Sequence, residues 1–140
     1  MKTSDDNPWK LLCEGPTAEV WIHRDCEKEL KGIRQPKMEA KIRAHMMVRF
    51  CQFELLDGLN REQFNPNEGK HSIDGAEVMM SAFKSNQLRV YGAVGSVNNN
   101  RAFFAASAIL KKQDQLKPKD IKKAAGRLVE LSKAISGAKV

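Results

Sequence analysis

Apolar positions recur along this chain with two different periods, and the changes of period divide it into parts. Residues 18–23, AEVWIH, alternate, so Val20 and Ile22 share one face of a strand and Trp21 and His23 the other. The stretch RDCEKELK (24–31) has helical composition, with Asp25 placed to cap its start and Gly32 and Pro36 to end it. From Pro36 to Leu56 the helical period is plain. Met38, Ile42, Met46, Phe50 and Phe53 recur at spacings of four and three, and Met47, Cys51 and Leu55 widen the stripe. Pro36 suits a first helical turn. The two segments predict a helical hairpin. LNREQFNPNEGKHSID (59–74) shows no period, and its Asn, Pro and Gly predict a loop.

Three strand-like runs follow, 76–83, 87–94 and 102–110, separated by a tight turn at Lys84-Ser85-Asn86 and a looser one from Ser96 to Asn100. That spacing predicts an antiparallel meander. In the middle run Leu88, Val90 and Val94 lie on one face and Arg89, Tyr91 and Ala93 on the other. The helical hairpin is expected to cover the Leu88 face. Beyond a polar loop (113–117), Pro118 and Asp120 open a last helix whose apolar stripe is Ile121, Ala124, Ala125, Leu128 and Leu131. Lys122, Lys123 and Arg127 are expected on its exposed surface. Residues 1–15 read as a flexible lead-in and 136–140 as a frayed end, leaving a single domain over 16–140. The fold class is α+β: an N-terminal strand and a helical hairpin packed on a mostly antiparallel sheet of about four strands, with a C-terminal basic helix.

Composition narrows the class. A chain of 140 residues buries a core without metal or disulfide staples. No apolar run approaches membrane-spanning length and the N-terminus lacks an apolar signal core, so a cytoplasmic protein without membrane contact is expected. The formal net charge is +7, from 24 Lys and Arg against 17 Asp and Glu, which favours an anionic partner. The excess lies at the C-terminal end: residues 101–140 hold eight Lys and two Arg but three acids. Three cysteines, Cys13, Cys26 and Cys51, have no zinc-ligand spacing and are expected as reduced thiols. No metal and no cofactor is expected.

Candidate chemistry concentrates between Phe83 and Lys112, where Lys84, Arg89, Arg101, Lys111 and Lys112 stand along two strands and their turn. The chain has no Walker loop, GxGxxG, GxSxG or HExxH. Arg89, inside a strand, must pair with a carboxylate, for which Glu77 is a candidate, or serve a ligand. Tyr91 is either a stacking platform for a base or a packing residue against the last helix. His23 and His45 read as structural. His71, beside Lys70 in the predicted loop, is either surface decoration or a general base or acid near neutral pH. Together the cations suit phosphate binding and stabilisation of transition-state charge.

The order of strand, helical hairpin, three-strand meander and basic C-terminal segment resembles the RelE/ParE superfamily of bacterial toxins, most closely its HigB-like and phage-derived members. KSNQLRVYG (84–92) and ILKKQDQLKPKDIKKAAGRL (109–128) carry the likeness: Phe83-Lys84 stands for the family's LR pair, Leu88 to Tyr91 for its YRVxY, and Lys111-Lys112 and Pro118 fall in register. The resemblance implies a RelE-like domain and a metal-independent endoribonuclease, the toxin of a toxin–antitoxin system, cutting mRNA on the ribosome by attack of the 2′-OH on the adjacent phosphate. It implies Arg89 at the scissile phosphate, Lys112 neutralising the developing charge or standing near the leaving group, Lys84 as a second phosphate contact, and Lys70 or His71 assisting from the loop; the strand faces add Tyr91 and Lys111 as expected RNA contacts. A cognate antitoxin would be the resting partner. The alternative is a relative of the same fold without RNase activity, either a gyrase-type poison or an inert binding protein.

Overall fold

A computed structural model of the chain describes residues 7–52, 63–73, 75–111, 118–129 and 131–140. The order is β1 (Trp9–Glu14), β2 (Ala18–His23), α1 (Arg24–Gly32), α2 (Pro36–Ala44), a π-helical continuation (His45–Phe50), β3 (Phe64–Ile73), β4 (Ala76–Ser85), β5 (Leu88–Val97), β6 (Asn100–Leu110), α3 (Pro118–Leu128), α4 (Leu131–Ala134) and β7 (Ala138–Lys139). The sheet runs β1-β2-β6-β5-β4-β3, and β7 pairs with the far end of β5. The class is α+β as expected, but the sheet has seven strands rather than about four, and it is mixed because β2 pairs parallel with β6.

β6 is the central strand, with Ala102 to Ala108 buried without a break. A strand covered on both faces shows no polar alternation, and its alanines and Phe103 and Phe104 divide between two cores. On one side Val20, Ile22, Leu88, Val90 and Phe103 pack with Cys26, Leu30, Ile42, Phe50 and Cys51 of the N-terminal helical layer. Phe50, Phe64, Phe83 and Phe103 form an aromatic cluster there, with Phe83 and Phe103 edge-to-face at 4.7 Å. On the other side Met80, Ala82, Tyr91, Ala93 and Phe104 pack with Ile121, Ala124, Ala125 and Leu128 of α3, and with Leu131 and Ile135. The helical hairpin thus covers the Leu88 face, as the alternation implies, and α3 takes the Tyr91 face.

The three extra strands come from segments without a legible period. β1 lies within the expected lead-in, and its Trp9 is buried against Phe104 and His23. β3 replaces most of the expected loop. It is an edge strand with a register shift between Asn65 and Gly69, and an edge tolerates Pro66 because that position owes the ladder no N–H. β7 occupies the end expected to fray: Lys139 pairs with Ser96, and its carbonyl would lie 1.9 Å from any Cβ at position 95, so only glycine fits there.

Other boundaries also shift. The β5–β6 connection is a tight two-residue turn, Asn98-Asn99, with φ of 50° and 70°, a left-handed pair that asparagine tolerates. α1 is capped by His23, whose Nδ1 accepts from the Asp25 N–H at 3.1 Å, and not by Asp25. Burial, and then the Arg127 charge, hold the His23 pKa below its ordinary value. Arg127 is not a surface cation. Its guanidinium grips the Glu29 carboxylate with two bonds of 2.8 and 2.9 Å and also donates to the Ala106 carbonyl at 2.8 Å. Glu29 in turn accepts from the Ala108 N–H at 3.1 Å. β2 pairs with β6 only as far as Ala105, so this ion pair satisfies the β6 edge where the partner strand ends.

No helix among the described residues is long and apolar enough to cross a membrane.

Candidate functional site

The β4–β5 turn gathers the cations. Lys84 and Arg89 are direct cross-strand partners, flanking Ser85 and the Asn86-Gln87 turn, where Asn86 takes φ 52°. Like charges placed opposite each other repel, and the register removes Glu77 as a neutraliser, because Glu77 pairs with Ser72 near the other end of β4. Arg89 folds back over the turn, with Nη1 donating to the Leu88 carbonyl at 3.1 Å and to the Asn86 carbonyl. Two more cations arrive from the helical layer, Lys41 from α2 and Arg49 from the π-helical segment. With Gln63, Ser85 and Asn86 these four line a cleft of about 600 Å³ at the end of the sheet. Gln63 braces it, accepting from Arg49 Nη1 at 3.0 Å through its side chain and from the Lys84 N–H at 2.8 Å through its carbonyl.

No carboxylate lines this cleft among the described residues, and Lys41, Lys84 and Arg89 form no ion pair among them. The contrast with the rest of the helical layer is sharp. Glu27 takes Lys10, Lys31 and Arg43, and Glu29 takes Lys123 and Arg127. Burial opposes ionisation of both acids, but their cationic partners prevail and hold both pKa values below the ordinary range. Glu27 and Glu29 thus offset five cations, whereas the cations lining the cleft at the β4–β5 turn have no carboxylate in that lining among the described residues.

The other expected site residues scatter. Lys70 and His71 lie on β3 opposite Met79 and Val78. Val78 is six residues from Lys84, about 20 Å at strand rise, so neither side chain joins the cleft. Tyr91 is 1% exposed, enclosed by the α3 core, and burial pushes its phenol pKa up to about 12. It is a packing residue, and no base can stack on it. Lys111 donates its N–H to the Gln87 carbonyl at 2.7 Å beside the turn, but its side chain is not part of the lining. Lys112 lies outside the described residues. Arg101 sits at the opposite end of the hairpin, opposite Ser96, about 23 Å along β5 from Arg89. There it donates to the Phe50 carbonyl at 2.7 Å and lies 4.6 Å over the Phe50 ring, a structural role.

Lys41, Arg49 and Gln63 went unseen in the sequence. A signal for two of them exists: Lys41 and Arg49 each stand one residue before a buried stripe residue, Ile42 and Phe50, and so border the same edge of the apolar stripe. What the helix would pack beside was not legible.

Chemically, the cleft offers converging cationic donors to a phosphate-sized anion. None of its described lining residues is a His, Cys, Tyr, Asp or Glu that would accept a proton near neutral pH. The described residues also contain no group of three or more His, Cys, Asp or Glu arranged to hold a metal ion. Compared with protein-family models, curated proteins and solved structures, the chain matches none of them.

Proposed function

We propose that the protein binds the RNA backbone through the Lys41–Arg49–Lys84–Arg89 cleft. We further propose that it is a RelE/HigB-like toxin of a toxin–antitoxin system, a metal-independent endoribonuclease acting in the cytoplasm on mRNA at the ribosome. The observation that carries the binding claim is the cross-strand Lys84–Arg89 pair, two like charges facing each other with no described carboxylate between them. A phosphate between them turns a repulsion into two charge-assisted contacts. The toxin assignment rests on the sequence resemblance together with Arg89, the residue that resemblance puts at the scissile phosphate. In the reaction the 2′-OH attacks the adjacent phosphorus, leaving a 2′,3′-cyclic phosphate on one fragment and a 5′-OH on the other. The cations stabilise the charge that builds on the phosphorane oxygens. A cognate antitoxin fits this reading as an acidic segment laid over the cleft.

A second reading is a binding protein of the same RelE-like fold that does not cut. The absence of a proton acceptor among the described lining residues favours it. Induced expression in bacterial cells separates the two. Growth arrest with new mRNA 5′-OH ends, both lost in Arg89→Ala while the purified variant keeps its melting temperature, supports the toxin. A fully toxic Arg89→Ala overturns the site. Wild-type protein that binds RNA and leaves mRNA intact supports the second reading.

A further inference from the structure

Two of the three cysteines face each other. Cys13 Sγ and Cys51 Sγ lie 3.6 Å apart, within hydrogen-bond reach, although the residues are 38 positions apart in the chain. Cys13 is half-buried on edge strand β1, and Cys51 is fully buried just after the π-helical segment. The local structure is built to hold them so. Strict alternation from Trp9 would put Cys13 on the Trp9 side of the sheet, facing α3. A register shift between Leu11 and Cys13 turns it to the other side, where it packs with the core that contains Cys51. Bulges re-aim side chains in this way. Around Cys51 the β1–β2 turn is clamped: the Thr17 N–H and hydroxyl both donate to the Cys51 carbonyl, at 3.1 and 2.9 Å. A Cβ at Gly15 would come within 2.6 Å of that same oxygen, so the turn can approach this closely only as glycine.

We propose that Cys13 and Cys51 form a thiol-oxidation site, closing to a reversible intramolecular disulfide on reaction with a low-molecular-weight disulfide. The two sulfurs need to approach by about 1.5 Å to reach bonding distance. The Cys13 thiolate attacks one sulfur of the oxidant, forming a mixed disulfide and releasing one small thiol. Cys51 then attacks Cys13 Sγ, loses its proton, forms the intramolecular bond and releases the second small thiol. Two protein thiols and one oxidant disulfide become one protein disulfide and two small thiols. Cys13 is the entry point because it is the more exposed of the two, and the hydrogen bond from Cys51 stabilises its thiolate. Cys26 has no part in this. It lies within α1 on the helix's buried face, and that complete burial pushes its pKa far up. The product staples β1, which among the described residues pairs in the sheet with β2 alone, to the end of the N-terminal helical layer.

The test is oxidation of the full-length wild-type protein with oxidised glutathione. It is read by intact mass, by thiol titration in denaturant and by a non-reducing peptide map. The expected result is a loss of two hydrogens, one titratable thiol left of the three, and a linked Cys13–Cys51 peptide. The melting temperature should rise on the order of 10 °C, the gain expected from closing a loop of this length in a chain of this size. Dithiothreitol should reverse both changes. Cys26→Ala should form the same link and end with no titratable thiol, and Cys13→Ser should keep two thiols through the same treatment. Three surviving thiols in the wild type, a link through Cys26, or a glutathione adduct that persists on Cys13 overturns the proposal.

Discussion

Arg89→Ala isolates the central claim about the cleft, because salt dependence counts phosphate contacts without reference to sequence or chemistry. Four cations line the site. For a single-stranded partner the slope of log K against log salt is about −0.7 per neutralised phosphate, so four contacts give about −2.8 and three give about −2.1. Between about 50 and 200 mM salt the wild type should lose about 50-fold in affinity and Arg89→Ala about 20-fold. At fixed salt, losing one charged hydrogen-bonding group should weaken binding by about 10- to 150-fold, from about 1.5–3 kcal/mol per charged bond. Fluorescence anisotropy with a short single-stranded RNA reads both quantities. Lys41→Ala should reproduce the shallower slope, although it lies on a different element. Lys122→Ala, on the exposed side of α3 away from the cleft lining, should retain the wild-type slope. If Arg89→Ala and Lys41→Ala keep the full slope while Lys119→Ala or Lys122→Ala reduces it, the RNA lies along α3 and the cleft reasoning fails.

Three further outcomes are expected. Tyr91→Ala should destabilise the fold by about 3–5 kcal/mol in denaturant titration, as large aromatic core deletions do, whereas a Tyr91 that binds RNA would lose affinity with stability intact. Arg127→Met should cost about 2–4 kcal/mol in the same assay, because it leaves the half-buried Glu29 carboxylate with only the exposed Lys123 and the Ala108 N–H and removes the side-chain donor to the Ala106 carbonyl. Burial, and then the Arg127 charge, lower the His23 pKa in the folded state, so the unfolded chain binds that proton more readily and stability should fall as pH drops below about 6.5. His23→Asn, which can still accept the Asp25 N–H but does not titrate, should flatten the unfolding midpoint between pH 7 and 5; an unchanged slope would place the acid sensitivity elsewhere.

Legibility tracked how much of each element's environment is local. Helix α1 and the β4, β5 and β6 strands appear close to where the period and turn residues put them, since apolar runs bounded by turn residues mark a strand even where both of its faces are covered. The apolar stripe predicts one helix from Pro36 to Leu56, but the α-helical α2 stops at Ala44 and the chain continues as π-helix to Phe50. The edge strands were hidden for the opposite reason. FNPNEGKHSI pairs on one side only, and its bulge, Pro66 and Gly69 break any alternation. Arg127 was misplaced because its helical face is polar in sequence whether it meets water or, as here, a carboxylate from α1.

The sequence by itself determined the α+β class, the two-faced β5 strand, the surplus of positive charge and the presence of Arg89 and Lys84 at one hairpin end. These follow from periodicity and turn chemistry acting over a few residues. Only the tertiary structure decided which cations meet. It brought Lys41 and Arg49 to the β4–β5 turn, separated Lys70 and His71 from it by most of a strand, and buried Tyr91. The β3–β4 register sets the second of these and the packing of α3 the third, while the first follows from the crossover from β2 to a parallel β6, which threads the helical layer and the meander between two adjacent strands. Contacts across such a crossover depend on which layers stack and in what register, and no periodicity within one segment encodes that.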